Sequence, residues 1–278
     1  MAIDPKPFLD DVKCLGLPLS DALNVALLNR LLSGPYELQV QLGLIAGTRR
    51  IVIMGNNPDV DIATTPEDVW EAGGLYPFQL TAQPLEILSS SAADAAAGTG
   101  ARTVIVSGLN ASWVEQSETV SLNGVGVVPL LTPFFRVNRC ECLTAGTGQA
   151  NAGIITLRVA GAGATQAIIG IADGRAHQAI YTVPAGKTLF FISREAALLR
   201  QAAAVGVECA IHFRDGSTSA PWGVRNLFGL QSDGTSAYVK ELPFLAVGRY
   251  NDVRATVLDA TANNAAISIT LEAFLIDN

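Results

Sequence analysis

The stretch GIITLRVAGAGATQAIIGIADGRAHQAIYTVPAGKTLFFIS, Gly153 to Ser193, decides the fold class. Short runs rich in Ile, Val, Leu and Phe are cut by turn-forming Gly and Pro, which is how strands and their connections read in a sequence. Val183, Pro184, Ala185 and Gly186 suit a type I turn with proline in its second position, joining QAIYTV to TLFFIS. Outward from this stretch the pattern repeats, upstream in RTVIVSG, WVEQSETVSL and FFRVNRCECL, downstream in GVECAIHF, DVRATVLD and AISITLEAFLI. In RTVIVSG, Val104 and Val106 alternate with Thr103, Ile105 and Ser107, as in a half-buried antiparallel strand. The spacing predicts a mainly β protein, an antiparallel, jelly-roll-like β-sandwich over residues 77–278, formed as one domain or two.

Before this region lie an N-terminal helix and strand arm, 1–54, and a long connecting loop, 55–76. In SDALNVALLNRLLS, Ser20 is placed to cap a helix that Gly34 and Pro35 end. Leu23, Leu27, Leu28, Leu31 and Leu32 form one apolar stripe along it, which either covers the protein's own sheet or docks onto a partner. After Pro35 the period changes to two, with Leu38, Val40, Leu42 and Leu44 alternating as in a strand, and RRIVIM follows. The loop GNNPDVDIATTPEDVWEAGGLY is long enough to suggest function. Trp70, Leu75 and Tyr76 within it, together with the leucine stripe, are the expected interface residues. A chain beginning near Pro77 is accordingly expected to stay folded but not to assemble. EAALLRQAAA, Glu195 to Ala204, has the composition of a short helix or a hairpin top.

Charged residues make up 15% of the chain and hydrophobic ones 49%, so the surface is weakly polar and suited to contact with other proteins. The formal net charge of −7 argues against nucleic acid, which is held mainly by clustered Lys and Arg. The start, MAIDPKPFLDDVK, lacks the features of a secretory signal, and no run is apolar enough for a membrane span, so neither export nor a membrane partner is expected. Cys14, Cys140, Cys142 and Cys209 have no framework spacing and are expected to be free thiols, with Cys140 and Cys142 on one face of a strand.

Catalytic patterns break down one by one. Gly186, Lys187 and Thr188 resemble the end of a phosphate-binding loop, but its leading glycine would fall at Tyr181. His177 and His212 have no nucleophile elbow or metal motif beside them, and His212 is expected on the solvated face of its strand with Glu208 and Arg214. Asn57, Asp59, Asp61 and Asp68 imitate positions of a calcium loop, yet Ile62 stands where its glycine belongs. They are weak metal candidates, and no cofactor or catalytic residue is expected.

EAGGLYPF at Glu71 to Phe78, LEILSSSAADAAAGTGARTVIVSGL at Leu85 to Leu109, ETVSLNG at Glu118 to Gly124, AIYTVPAGKT and the closing NDVRATVLDATANNAAISITLEAFLIDN resemble virion structural proteins of tailed bacteriophages. The resemblance implies a particle protein made in the host cytoplasm. It would sit at the head surface, neck or tail and bind copies of itself and capsid, portal or adaptor proteins. A tail-fibre or receptor-binding module would be expected to group exposed aromatics, which are only 6% here. A carbohydrate-active enzyme would need two carboxylates meeting in a groove.

Overall fold

The computed structural model describes residues 35–200, 206–218, 220–231 and 237–278. The leucine stripe of Leu23, Leu27, Leu28, Leu31 and Leu32 lies outside the described residues, as does Cys14. The chain divides into two compact units, Met1–Arg50 and Ile51–Asn278.

In the first unit the alternation after Pro35 is not a strand but a helix, α1 (Tyr36–Gln41). Pro35 pre-sets the entry and Glu37 sits in the first turn, where the helix end is positive. Gly43, with φ of +71°, closes the helix. Its N–H donates to the Val40 carbonyl and that of Leu44 to Gln39, the paired bonds of a Schellman motif. Local capping therefore overrides the two-residue period.

The second unit is built of antiparallel sheets, with strands numbered in chain order. One sheet runs β1 (Thr48–Val60), β16 (Ala265–Asp277), β11 (Lys187–Arg200), β14 (Ala237–Val247). A second runs β10 (Ile180–Thr182), β15 (Asn251–Ala260), β12 (Gly206–Asp215), β13 (Gly223–Gln231), with β2 (Glu67–Asp68) added to β15. A third runs β6 (Val128–Pro129), β3 (Leu85–Ser89), β8 (Ile155–Val159), β9 (Thr165–Ile169), and a fourth β5 (Glu115–Ser121), β4 (Ala101–Leu109), β7 (Arg136–Ala145). Four sheets thus stand where one or two sandwich domains were expected, a count that suits a four-bladed, propeller-like arrangement.

Two cores hold them. Ile53 of β1, Leu189 and Phe191 of β11 and Ile267, Ile269 and Leu271 of β16 pack with Cys209, Ile211 and Phe213 of β12 and Val253, Ala255 and Val257 of β15. The first two sheets therefore share one apolar interior. Leu85, Ile87, Ile155 and Leu157 pack with Val104, Val106, Val137 and Cys140, so the third and fourth sheets share another. The inward residues alternate along most strands, as a period of two requires, while a register shift in β7 between Val137 and Arg139 lets Val137 and Cys140, three apart, face the same core.

Several expectations are corrected. β1 continues through Val60, so the loop expected from residue 55 begins later, and Val60 is fully buried. Of Glu195 to Ala204, expected as a short helix or a hairpin top, residues 195–200 continue β11 because β16 pairs along it from Lys187 to Arg200, and 201–204 lie outside the described residues. VPAG does separate QAIYTV from TLFFIS, but β10 and β11 pair in different sheets, so the turn carries the chain from one sheet to the other.

Ser89 to Ala101 is organised by Asp94, which is fully buried. Its carboxylate accepts from Ser89 Oγ at 2.6 Å and from the N–H groups of Ala101, Ala152 and Gly153. Burial alone would raise its pKa, but these four bonds bring it below the ordinary carboxylate value.

Cys140, Cys142 and Cys209 are unpaired. Burial pushes the Cys140 thiol well up, that of Cys209 to about 12 and that of Cys142 to about 11. Iodoacetamide should therefore leave Cys140 and Cys209 unmodified in the native protein and label both once urea unfolds it. Peptide mass spectrometry checks this, and rapid native labelling of Cys209 would contradict a closed core.

Candidate functional site

The EAGGLYPF segment is a packed turn. Gly73 and Gly74 adopt φ of +67° and +63°, open to glycine at little cost, and reverse the chain after β2. Trp70 Nε1 donates to the Gly74 carbonyl and the Tyr76 N–H to Asp68 Oδ2. The rings of Trp70, Tyr76 and Phe78 meet edge to face at 5.0 and 4.9 Å. Trp70 and Tyr76 are each only 4% exposed, which corrects their assignment as interface residues: their apolar area is spent inside the chain. Leu75 lies at the surface.

The calcium-loop candidates are not brought together. Asn57 is on β1, buried, donating to Glu67 Oε2 and accepting from the Asp59 N–H. Asp61 Oδ1 accepts from Asn264 N–H. Asp68 is fully buried and accepts from Thr256 Oγ1 at 2.7 Å and Arg254 Nη1 at 3.4 Å. Burial pushes its carboxyl above the ordinary range despite that arginine. Because β1 runs through Val60, the first half of the would-be loop is extended strand and cannot wrap an ion as a turn does, and it leaves Asn57 buried and Asp59 exposed.

A buried ion-pair network ties β7 to β15. Arg136 grips Asp252 with two bonds of 2.9 and 3.0 Å, and their side chains are 4% and 0% exposed. Asp252 also accepts from Arg214 and from Thr182 Oγ1, while Arg136 reaches the Gln79 carbonyl. Arg214 and Arg254 stack on Trp222 at 4.4 and 4.2 Å from its centroid. His212 packs edge-on against the same ring and is 7% exposed, so it is not on a solvated face as expected. Burial, and then Arg254, hold its pKa below the usual histidine value. Among the described residues no exposed nucleophile bonds to the network, whose charged groups are held by one another.

A second cluster is partly open. His177 Nδ1 lies 2.8 Å from Glu71 Oε1 and 3.9 Å from Asp173 Oδ2. The three ligand atoms fall within 4.8 Å of one another. Glu71 Oε2 accepts from the Gly170 N–H. Burial raises the Glu71 pKa, with the Asp173 charge adding to the rise against the bonds from His177 and Gly170. The Glu71–His177 pair has the form of an orienting acid and a base, but among the described residues no Ser, Thr or Cys side chain bonds to His177, as a nucleophile would.

Compared with known proteins, the chain matches no family model, no curated protein and no solved structure. No helix among the described residues is long and apolar enough to cross a membrane. Sequence reasoning considered His177 alone and missed Glu71 and Asp173, which lie in segments read as loop and turn. Asp94 and Asp252 were equally hidden, since their partners are far away in sequence.

Proposed function

We propose that this chain is a non-enzymatic structural protein of a tailed-phage virion. It packs in repeated copies at the head surface or head-to-tail junction, against itself and neighbouring capsid, portal or adaptor proteins. The observation that carries the reading is strand order. Taken as first to eighth, the strands β1 and β10 to β16 lie in the orders first-eighth-third-sixth and second-seventh-fourth-fifth. Two interlocked Greek keys produce that order in a jelly roll, an architecture of viral capsid subunits and of lectins. The strands β3 to β9 then form a double-sheet unit inserted between its first and second strands. Propeller blades are repeated units of neighbouring strands, whereas here β1 pairs with β16 across almost the whole chain, so the jelly roll accounts for the order better.

A fold alone does not assign a function. The particle role rests in addition on the low charge, on the resemblance to phage virion proteins, and on well-exposed apolar side chains such as Leu80 at 93% and Leu131 at 90%. In gradient-purified particles, quantitative peptide mass spectrometry should find this chain in a fixed ratio to the capsid subunit. Its absence from particles would refute the proposal. So would hydrolysis of a nucleotide, peptide, ester or glycan that His177→Ala abolishes.

A further inference from the structure

We propose that Glu71, Asp173 and His177 form a binding site for a divalent cation of the zinc class, clamping the turn after β2 to the loop between β9 and β10. The ligand set is mixed, one imidazole nitrogen and two carboxylate oxygens, and it is assembled from segments about a hundred residues apart in the chain. Three protein ligands with remaining positions open to water suit zinc and the metals that replace it. Bonds of about 2.0–2.2 Å would place ligand atoms about 3.4 Å apart. The present separations of 2.8 and 3.9 Å bracket that spacing, so His177 and Glu71 would part by about 0.6 Å and Asp173, 39% exposed, would close by about 0.5 Å.

Charge points the same way. Two carboxylates converge here, and among the described residues His177 is the one cationic group within ion-pair distance of them. Even protonated, it leaves one negative charge uncompensated. A divalent ion would neutralise both carboxylates and displace the proton shared by Glu71 and His177.

The surroundings are fixed as ligand supports usually are. The Gly170 N–H engages Glu71 Oε2 and leaves Oε1 directed at the cluster. A Cβ at position 170 would come within 2.1 Å of Asp173 Oδ2, so glycine there is what lets that carboxylate sit over the backbone. Asn151, 2% exposed, donates to the Gly170 carbonyl and accepts from the Gly174 N–H, which pins both ends of the loop. The bridge between Trp70 and Gln178 joins the two ligand-bearing segments on one side. The bridge between Glu141 and Arg175 ties the loop to β7 on another.

The test is titration of the chelator-treated full chain with Zn²⁺ by calorimetry, repeated with Co²⁺ by visible absorption. The wild-type chain should bind one equivalent saturably and melt at a higher temperature with the ion than without. Asp173→Asn, at a partly exposed position, should fold normally and bind about tenfold or more weakly. His177→Gln should lose the Co²⁺ absorption band and the thermal shift. Absence of saturable binding by the wild-type chain would overturn the proposal, and so would undiminished binding by both variants.

Discussion

A chain that begins at Pro77 is expected to show no cooperative unfolding transition and to aggregate. Truncation there removes β1, which pairs with β16, and β2, which pairs with β15. Ile53, Val60 and Val69 would leave the first core, and Trp70 and Tyr76 would leave the aromatic cluster with Ile180. Each well-buried apolar side chain contributes about 1.5–3 kcal/mol. Five together match the whole stability of a typical domain, about 5–15 kcal/mol. The exposed edge of β16 would add a template for aggregation. This reverses the expectation that strands after residue 77 suffice. Circular dichroism melting with sedimentation checks it, and a monomeric, cooperatively melting truncated protein would contradict the strand order.

Asp252→Ala should cost about 3–5 kcal/mol, because it strands Arg136, 4% exposed, with no other carboxylate among the described residues paired to its guanidinium. It also takes a partner from Arg214 and from Thr182. The expected reading is a fall of about 1 M or more in the urea midpoint. Asp59→Ala, at an exposed position, should stay within about 0.5 kcal/mol of the parent chain. Equal midpoints for the two variants would mean that the network between β7 and β15 carries little of the stability.

The strands were legible where the alternation had one buried face. Val207, Cys209, Ile211 and Phe213 share one face by period alone, and all four pack in the first core. Val104 and Val106 fill the second in the same way. The opposite face of β12 was misread because polarity at His212 and Arg214 was equated with solvent, whereas Trp222 covers it. A two-residue period at Leu38 to Leu44 could not reveal the bonds that close α1. Composition at Glu195 to Arg200 could not outweigh pairing with β16. The candidate site stayed hidden for a related reason. Glu71, Asp173 and His177 each sit in unremarkable turn sequence, and only the fold brings the first to the other two.

The central claim, that the molecule is a repeated structural element of a particle, is tested most directly by electron cryomicroscopy of intact virions. The account predicts density for many copies at the head surface or the head-to-tail junction, each showing two double-sheet units with β1 beside β16 in the larger. Particles whose density is fully explained without this chain would contradict it, as would a single copy at a fibre tip bound to a host glycan.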